Sequence, residues 1–192
     1  MVGVAQLYLL TFYFQDLHAM NPLISGLWFA PMTAASVVGA IIAGRATPRI
    51  GAQATAIIGL VVMVGGLAAV ALAVAPWNSF ALVITGMVVG ETGFMLGSVA
   101  LTIMATSSLG DQHAGLAAGL VNTSTQLGGG FGLGIVATVV ATTSEQSGNI
   151  DARALMFGFA TCLIFVISAL ILTRRSGLST ISQHGYSHAR LE

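Results

Sequence analysis

The chain has 192 residues, of which 56% are hydrophobic and only 6% charged, against roughly a quarter charged in an ordinary water-soluble domain. Its six acidic and six basic residues cancel, and every basic one is arginine, with nothing resembling the cationic stripe that neutralises nucleic-acid phosphates. The single cysteine, Cys162, excludes a disulfide or a zinc centre within the chain.

Punctuation by Pro, Gly, Asn and charge divides the sequence into six apolar segments, each read as a helix. The first, Val2 to Leu17, gives about 16 residues where about 20 are wanted to span a bilayer. It lacks the features of a secretory signal and reads as a mature helix cut short, with Met1 an internal or reassigned start. Gln6, Tyr8, Thr11, Tyr13 and Gln15 interrupt it.

The second, Leu23 to Gly44, carries Ala35, Gly39 and Ala43 at the spacing that lets helix backbones touch. The third, Ala54 to Val74, is plain in polar content. The fourth, Phe80 to Ala105, holds Glu91, the only charged residue between Arg49 and Asp111. A carboxylate at membrane depth costs several kcal/mol unless it is paired, protonated or facing a wet cavity, and such groups mark transport or proton pathways. Four glycines of this helix, Gly86, Gly90, Gly93 and Gly97, fall within about 60° of each other at 100° per residue. Glu91 lies roughly 120° from their centre, on an arc with Ile84, Met87, Phe94, Met95, Ser98 and Thr102. The helix thus presents a packing seam and a separate pocket face suited to lipophilic, even cationic, compounds; the competing reading makes Met87, Phe94 and Met95 simple core filling.

The fifth segment, Ala114 to Thr142, gathers Gly115, Gly119, Asn122, Gln126 and Gly129 on one face as a helix interface, its amides bonding across helices or lining a wet path. Gly132, Gly134 and Ala137 match a dinucleotide-binding spacing, but no strand precedes them and the run lies within a membrane-length segment. The sixth, Ala154 to Thr173, is followed by a polar, glycine-containing tail from Arg174 to Glu192, expected to be unpacked and disordered.

The connectors are Asp16 to Pro22, Arg45 to Gln53, Ala75 to Ser79, Ser107 to His113 and Thr143 to Arg153. With a cytoplasmic amino terminus the inner side receives Arg45, Arg49, Arg174, Arg175 and Arg190, and the outer side only Arg153. The positive-inside rule selects that topology and puts both termini in the cytoplasm. An enzyme is not expected, because His18 and His113 fall in loops on opposite sides and no serine pairs with a buried histidine or acid. His184 and His188 lie in the tail, where no stable helix and no metal site are expected. Asp16 reads either as a gating charge or as a solvated helix end.

Three stretches together resemble the major facilitator superfamily, specifically the carboxy-terminal six helices of its fourteen-helix drug:proton antiporters of the EmrB/QacA type. One runs from Tyr13, Phe14 and Gln15 through Asn21-Pro22-Leu23-Ile24-Ser25-Gly26-Leu27 to Phe29-Ala30-Pro31. Another is similar to the superfamily's short cytoplasmic loop Gly-x-x-x-Asp-Arg-x-Gly-Arg; it keeps Gly44, Arg49 and Gly51 but has Pro48 for the aspartate and Ala52 for the last arginine. The third is Ala114 to Thr123 followed by Gln126-Leu127-Gly128-Gly129.

The resemblance implies an all-α integral membrane fold, with residues 1–173 forming one six-helix bundle, half a transporter, and 174–192 a cytoplasmic tail. It implies that the first and fourth helices line a central cavity, with Gln6, Tyr8, Tyr13 and Gln15 on one and Glu91 on the other. The second and fifth would meet the missing amino-terminal half, and the third and sixth would face lipid. A carboxylate at position 91 is not part of the family pattern, so its role rests on depth and isolation alone.

The expected function is that of half of a proton-coupled exporter of small lipophilic compounds, working by alternating access in a bacterial cytoplasmic membrane. Its partners would be lipid, the amino-terminal half, a lipophilic substrate and protons, with no cofactor. The alternative is a separately encoded or truncated half that serves only as an assembly partner.

Overall fold

A chain this apolar cannot leave backbone groups unpaired in lipid, and it resolves into helices that satisfy them internally. The computed structural model describes residues 2–74, 79–107, 114–145 and 151–188. In chain order the helices are α1 (Val2–Phe12, extended by a π-helical turn, Tyr13–Leu17), α2 (Pro22–Trp28), α3 (Ala30–Ile50), α4 (Ala52–Leu72), α5 (Phe80–Ser107), α6 (Ala114–Glu145) and α7 (Ala152–His188). Among the described residues, five stretches are long and apolar enough to cross a membrane: α2 with α3, and then α4, α5, α6 and α7. The sixth expected span, α1, falls short of that length even with its π turn.

Local chemistry explains where the elements start and stop. The Asn21 side chain accepts from the Leu23 N–H at 3.0 Å and caps α2, with Pro22 in the first turn. The single helix expected from Leu23 onward is interrupted at Phe29, whose N–H turns back to the Gly26 carbonyl at 3.2 Å. Pro31 is the reason, since it has no N–H to continue the ladder.

The connector expected from Arg45 to Gln53 is instead helix as far as Ile50, with Pro48 inside it. The whole reversal occurs at Gly51, where φ is +86°, a conformation that side-chain-bearing residues rarely adopt. Helix therefore includes Gly44 and Arg49 of the expected loop motif, and only Gly51 is its turn. At the other end of the chain the expected boundary at Thr173 is also passed. The backbone of α7 continues helically to His188, since the run beyond Arg174 has no proline and a formed helix propagates one bond per residue.

The bundle is built around glycine. A Cβ on Gly59 would strike the Gly97 backbone, one on Gly66 the Gly90 backbone, and one on Gly93 the Met63 nitrogen. α4 and α5 therefore cross backbone on backbone along the four glycines of α5. On another side of α5, Ala35, Gly39 and Ala43 of α3 are buried, and a Cβ on Gly39 would come within 2.7 Å of the Thr92 carbonyl. Leu9, Leu10, Tyr13 and Phe14 of α1 enter the same core as Leu67 and Val70 of α4, Met87 of α5, Val136 of α6, and Phe159 and Cys162 of α7.

Two polar contacts orient the ends. Gln53 Nε2 donates to the Thr173 carbonyl at 3.3 Å, which brings the Gly51 turn beside the last apolar turn of α7. Arg45, Arg49, Arg174 and Arg175 thus share one end, while Arg153, in the first turn of α7, sits at the other. At that far end Phe14, Trp28, Phe29 and Phe80 interlock edge to face, Trp28 on Phe80 at 4.7 Å. His18 joins them, 4.5 Å from the Tyr13 ring, its Nδ1 3.1 Å from the Tyr13 carbonyl oxygen.

Candidate functional site

Glu91 is 8% exposed and has no hydrogen-bond or ion-pair partner among the described residues. Its position follows from its neighbours on α5. A Cβ on Gly3 of α1 would meet the Phe94 ring at 3.3 Å, and one on Gly39 of α3 would meet the Met95 Cβ at 3.1 Å. At 100° per residue Glu91 lies about 60° from Phe94 and about 40° from Met95, so it projects into the crease between α1 and α3, away from the α4 seam. Met87, read on the same arc, is wholly buried in the core, whereas Phe94, Met95 and Ser98 are half-buried.

The polar residues of α1 divide between two environments. Tyr8 and Gln15 are half-exposed, and Tyr8 packs edge to face on Phe12 at 4.7 Å. Gln6 and Tyr13 are buried, and neither the Gln6 amide atoms nor the Tyr13 hydroxyl finds a hydrogen-bond partner among the described residues. The Gln6 Nε2 lies 3.8 Å from where a Gly90 Cβ would stand, beside the Gly66 backbone. It therefore points to the junction of α1, α4 and α5, and the amide is admitted there because two glycines leave the space.

On α6 the expected interface is open. Gly115, Gly119, Asn122 and Gln126 are exposed, and Gly129 is buried against Val4 of α1. The arginine-bearing end of α3 keeps both Arg45 and Arg49 exposed beside Ile42, lining a shallow groove. His113 lies outside the described residues. His184 and His188 fall on the extended part of α7, and the described residues contain no cluster of three metal-ligating side chains.

One feature was only partly visible in the sequence. A cleft of about 300 Å³ lies between Val2 of α1, Leu60 and Met63 of α4, Phe94, Gly97, Ser98 and Leu101 of α5, Thr125 of α6, and Phe165, Val166 and Ala169 of α7. A second hollow of about 480 Å³ adjoins it between α5 and α6, sharing Ser98, Leu101 and Thr125. The lining residues come from five helices, so no single periodicity could have grouped them. Phe94 and Ser98, read from the sequence as part of a pocket face on α5, were the portion of the cleft that the chain disclosed.

Residues 1–133 match the family model of the Major Facilitator Superfamily. The chain belongs to that superfamily. With five stretches of membrane-crossing length, this member is an integral membrane protein. It is 33% identical over 135 residues to the drug efflux pump JefA of Mycobacterium tuberculosis, covering 70% of this chain and 26% of the pump. Over 147 residues it is 26% identical to the tetracenomycin C resistance and export protein of Streptomyces glaucescens, covering 72% of this chain and 26% of that protein. A puromycin resistance protein of Streptomyces alboniger is 26% identical over 185 residues, 90% of this chain and 36% of the relative. These superfamily members are named for efflux, export and resistance rather than for catalysis. The chain spans about a quarter to a third of the length of these relatives. No solved structure matches it.

Proposed function

We propose that this chain is the carboxy-terminal six-helix half of a proton-coupled exporter of small lipophilic compounds, of the fourteen-helix drug:proton antiporter type. In this reading α1, though short, serves as the first of the six helices, and the two halves rock about a midplane site. The arginine-rich end faces the cytoplasm of a bacterial inner membrane. Four arginines gathered at one end of the bundle against one at the other support that orientation. The efflux and export names of the relatives support the direction of transport.

The observation that carries the proton coupling is Glu91, a buried carboxyl on the α1–α3 side of α5 that makes no hydrogen bond or ion pair among the described residues. An acid without a fixed partner is free to exchange a proton as water access switches sides, whereas a structural acid would be tied to one. The exposed faces of α3 and α6 support a second half packing against them. They would serve equally a separately encoded half, and co-purification of a complementary bundle decides between the two arrangements.

The test is the complete transporter carrying Glu91→Gln, assayed in inverted vesicles. Proton-driven uptake of a lipophilic dye is expected to fall at least about tenfold, the loss of a proton-transfer group, while dye exchange without a gradient persists. Undiminished proton-driven transport would remove Glu91 from the coupling mechanism.

A further inference from the structure

We propose that His18 is a proton-operated latch at the end of the bundle away from the four gathered arginines: with a proton on Nδ1 it fastens the π turn of α1 to the aromatic cluster, and losing that proton frees the connection between α1 and α2. Its placement on the outer face of the membrane rests on the export reading. The latch itself is a property of the bundle and is tested without transport.

The connection is held in two uncommon backbone conformations. Tyr13–Leu17 is a π turn, a form that recurs at functional sites. Ala19 stands at φ +48°, alone in the left-handed region among the non-glycine residues described, where a Cβ crowds the backbone. Such conformations persist only where neighbours hold them. Here the Met20 N–H donates to the Phe14 carbonyl at 3.0 Å, and His18 Nδ1 lies 3.1 Å from the Tyr13 carbonyl oxygen. The His18 ring also sits 4.5 Å from the Tyr13 ring and 5.9 Å from that of Phe80. One imidazole thus ties the end of α1 to the first turn of α5.

A carbonyl oxygen only accepts, so this bond exists only while Nδ1 carries hydrogen. The imidazolium carries one on each nitrogen. The neutral ring carries one alone, and in its Nε2–H form the bare Nδ1 faces the carbonyl lone pairs. Acid therefore fastens the latch, and imidazole is the side chain that changes charge between pH 5 and 8. The surroundings act in the same direction. His18 follows the last turn of α1, where free carbonyls favour a cation, and Asp16 is exposed on that turn. Tyr13, whose hydroxyl is buried, is the other titratable group beside it. α7 packs on the π turn and brings Asp151 and Arg153 at its start, of opposite sign. α2 and the first two turns of α5 carry no charged side chain.

The experiment is hydrogen–deuterium exchange on lipid vesicles containing the protein, read by mass spectrometry at pH 5.5 and pH 8 and corrected for the intrinsic pH dependence of exchange. Protection of the peptide covering residues 13–29 is expected to be about tenfold greater at pH 5.5, the worth of a hydrogen bond from a charged donor. A peptide from the middle of α4, residues 60–70, is expected to show no such difference. His18→Asn, whose amide NH2 stands near the Nδ1 position and donates at every pH, is expected to remove the pH dependence and keep the protection. Should that variant fail to accumulate, His18→Phe, which keeps a ring but has no donor, is expected to give the low protection at both pH values. Wild-type protection equal at the two pH values overturns the proposal, and so does a pH dependence that survives either substitution. If the latch fails while Glu91-dependent transport survives, the export reading stands alone. If the latch holds while Glu91→Gln transports normally, it stands without that coupling mechanism.

Discussion

The crossing of α4 over α5 and the outer surface of α6 are both glycine-rich, yet they serve opposite ends. At the crossing, Gly59, Gly66, Gly93 and Gly97 put backbone against backbone, and no side chain fits between. On α6, a Cβ on Gly115, Gly119, Gly130 or Gly134 would meet nothing within 4 Å, and Leu116, Leu127 and Phe131 stand exposed beside them. The same residue type is a completed contact in one place and an open one in the other. Small residues permit close approach, but they do not say whether a neighbour has arrived.

A series of glycine-to-alanine changes sharpens that contrast. The largest effect is expected for Gly66→Ala, whose Cβ would enter the Gly90 backbone; overpacking of this kind costs about 1–3 kcal/mol, read as a lower denaturation midpoint of the purified protein in mild detergent. Next comes Gly51→Ala, expected to cost about 1 kcal/mol because its positive φ disfavours any Cβ. Its counterpart Gly44→Ala sits in helix with open space around it and is expected to gain up to about 1 kcal/mol. The smallest effect on this bundle is expected for Gly119→Ala, a gain of a few tenths of a kcal/mol from helix propensity and lost unfolded-state freedom. If Gly119→Ala destabilises the complete transporter as strongly as Gly66→Ala, a second bundle covers that face. If Gly66→Ala is neutral, the crossing is looser than described.

Much of this contrast was legible in the chain. The spacing of Gly86, Gly90, Gly93 and Gly97 defined a seam on α5, and Ala35, Gly39 and Ala43 a seam on α3, because small residues one helical turn apart expose a flat strip of backbone. The isolation of Glu91 was equally visible, since one acid in more than sixty residues needs no structure to be noticed. What the chain could not disclose was the partner of each strip. The α5 glycines might have met any other helix; they meet α4, the segment whose plain composition suggested lipid, which is in fact half-buried.

The α1 polar residues show a different boundary. Gln6, Tyr8, Tyr13 and Gln15 read as one cavity group, but Gln6 and Tyr13 turn into the core while Tyr8 and Gln15 do not. At 100° per residue Gln6 and Tyr13 fall within about 20° of each other, as do Tyr8 and Gln15 on the nearly opposite face, so the helical period held this division and grouping all four residues together missed it. The loop motif around Arg49 likewise read as a connector because Pro48 usually ends a helix, whereas here the helix ends three residues later, at the position whose φ only glycine tolerates easily.

Composition and periodicity by themselves determined that this protein is a set of membrane-length helices, where most of them break, and which residue carries the lone buried charge, because these depend on the solvent and on neighbours along the chain. Tertiary structure alone decided which glycine strip meets which helix, which neighbours Gln6 finds, and that residues of five helices line one cleft. Those outcomes depend on how distant surfaces fit one another, and shape complementarity between helices far apart in sequence leaves no periodic trace in any one of them.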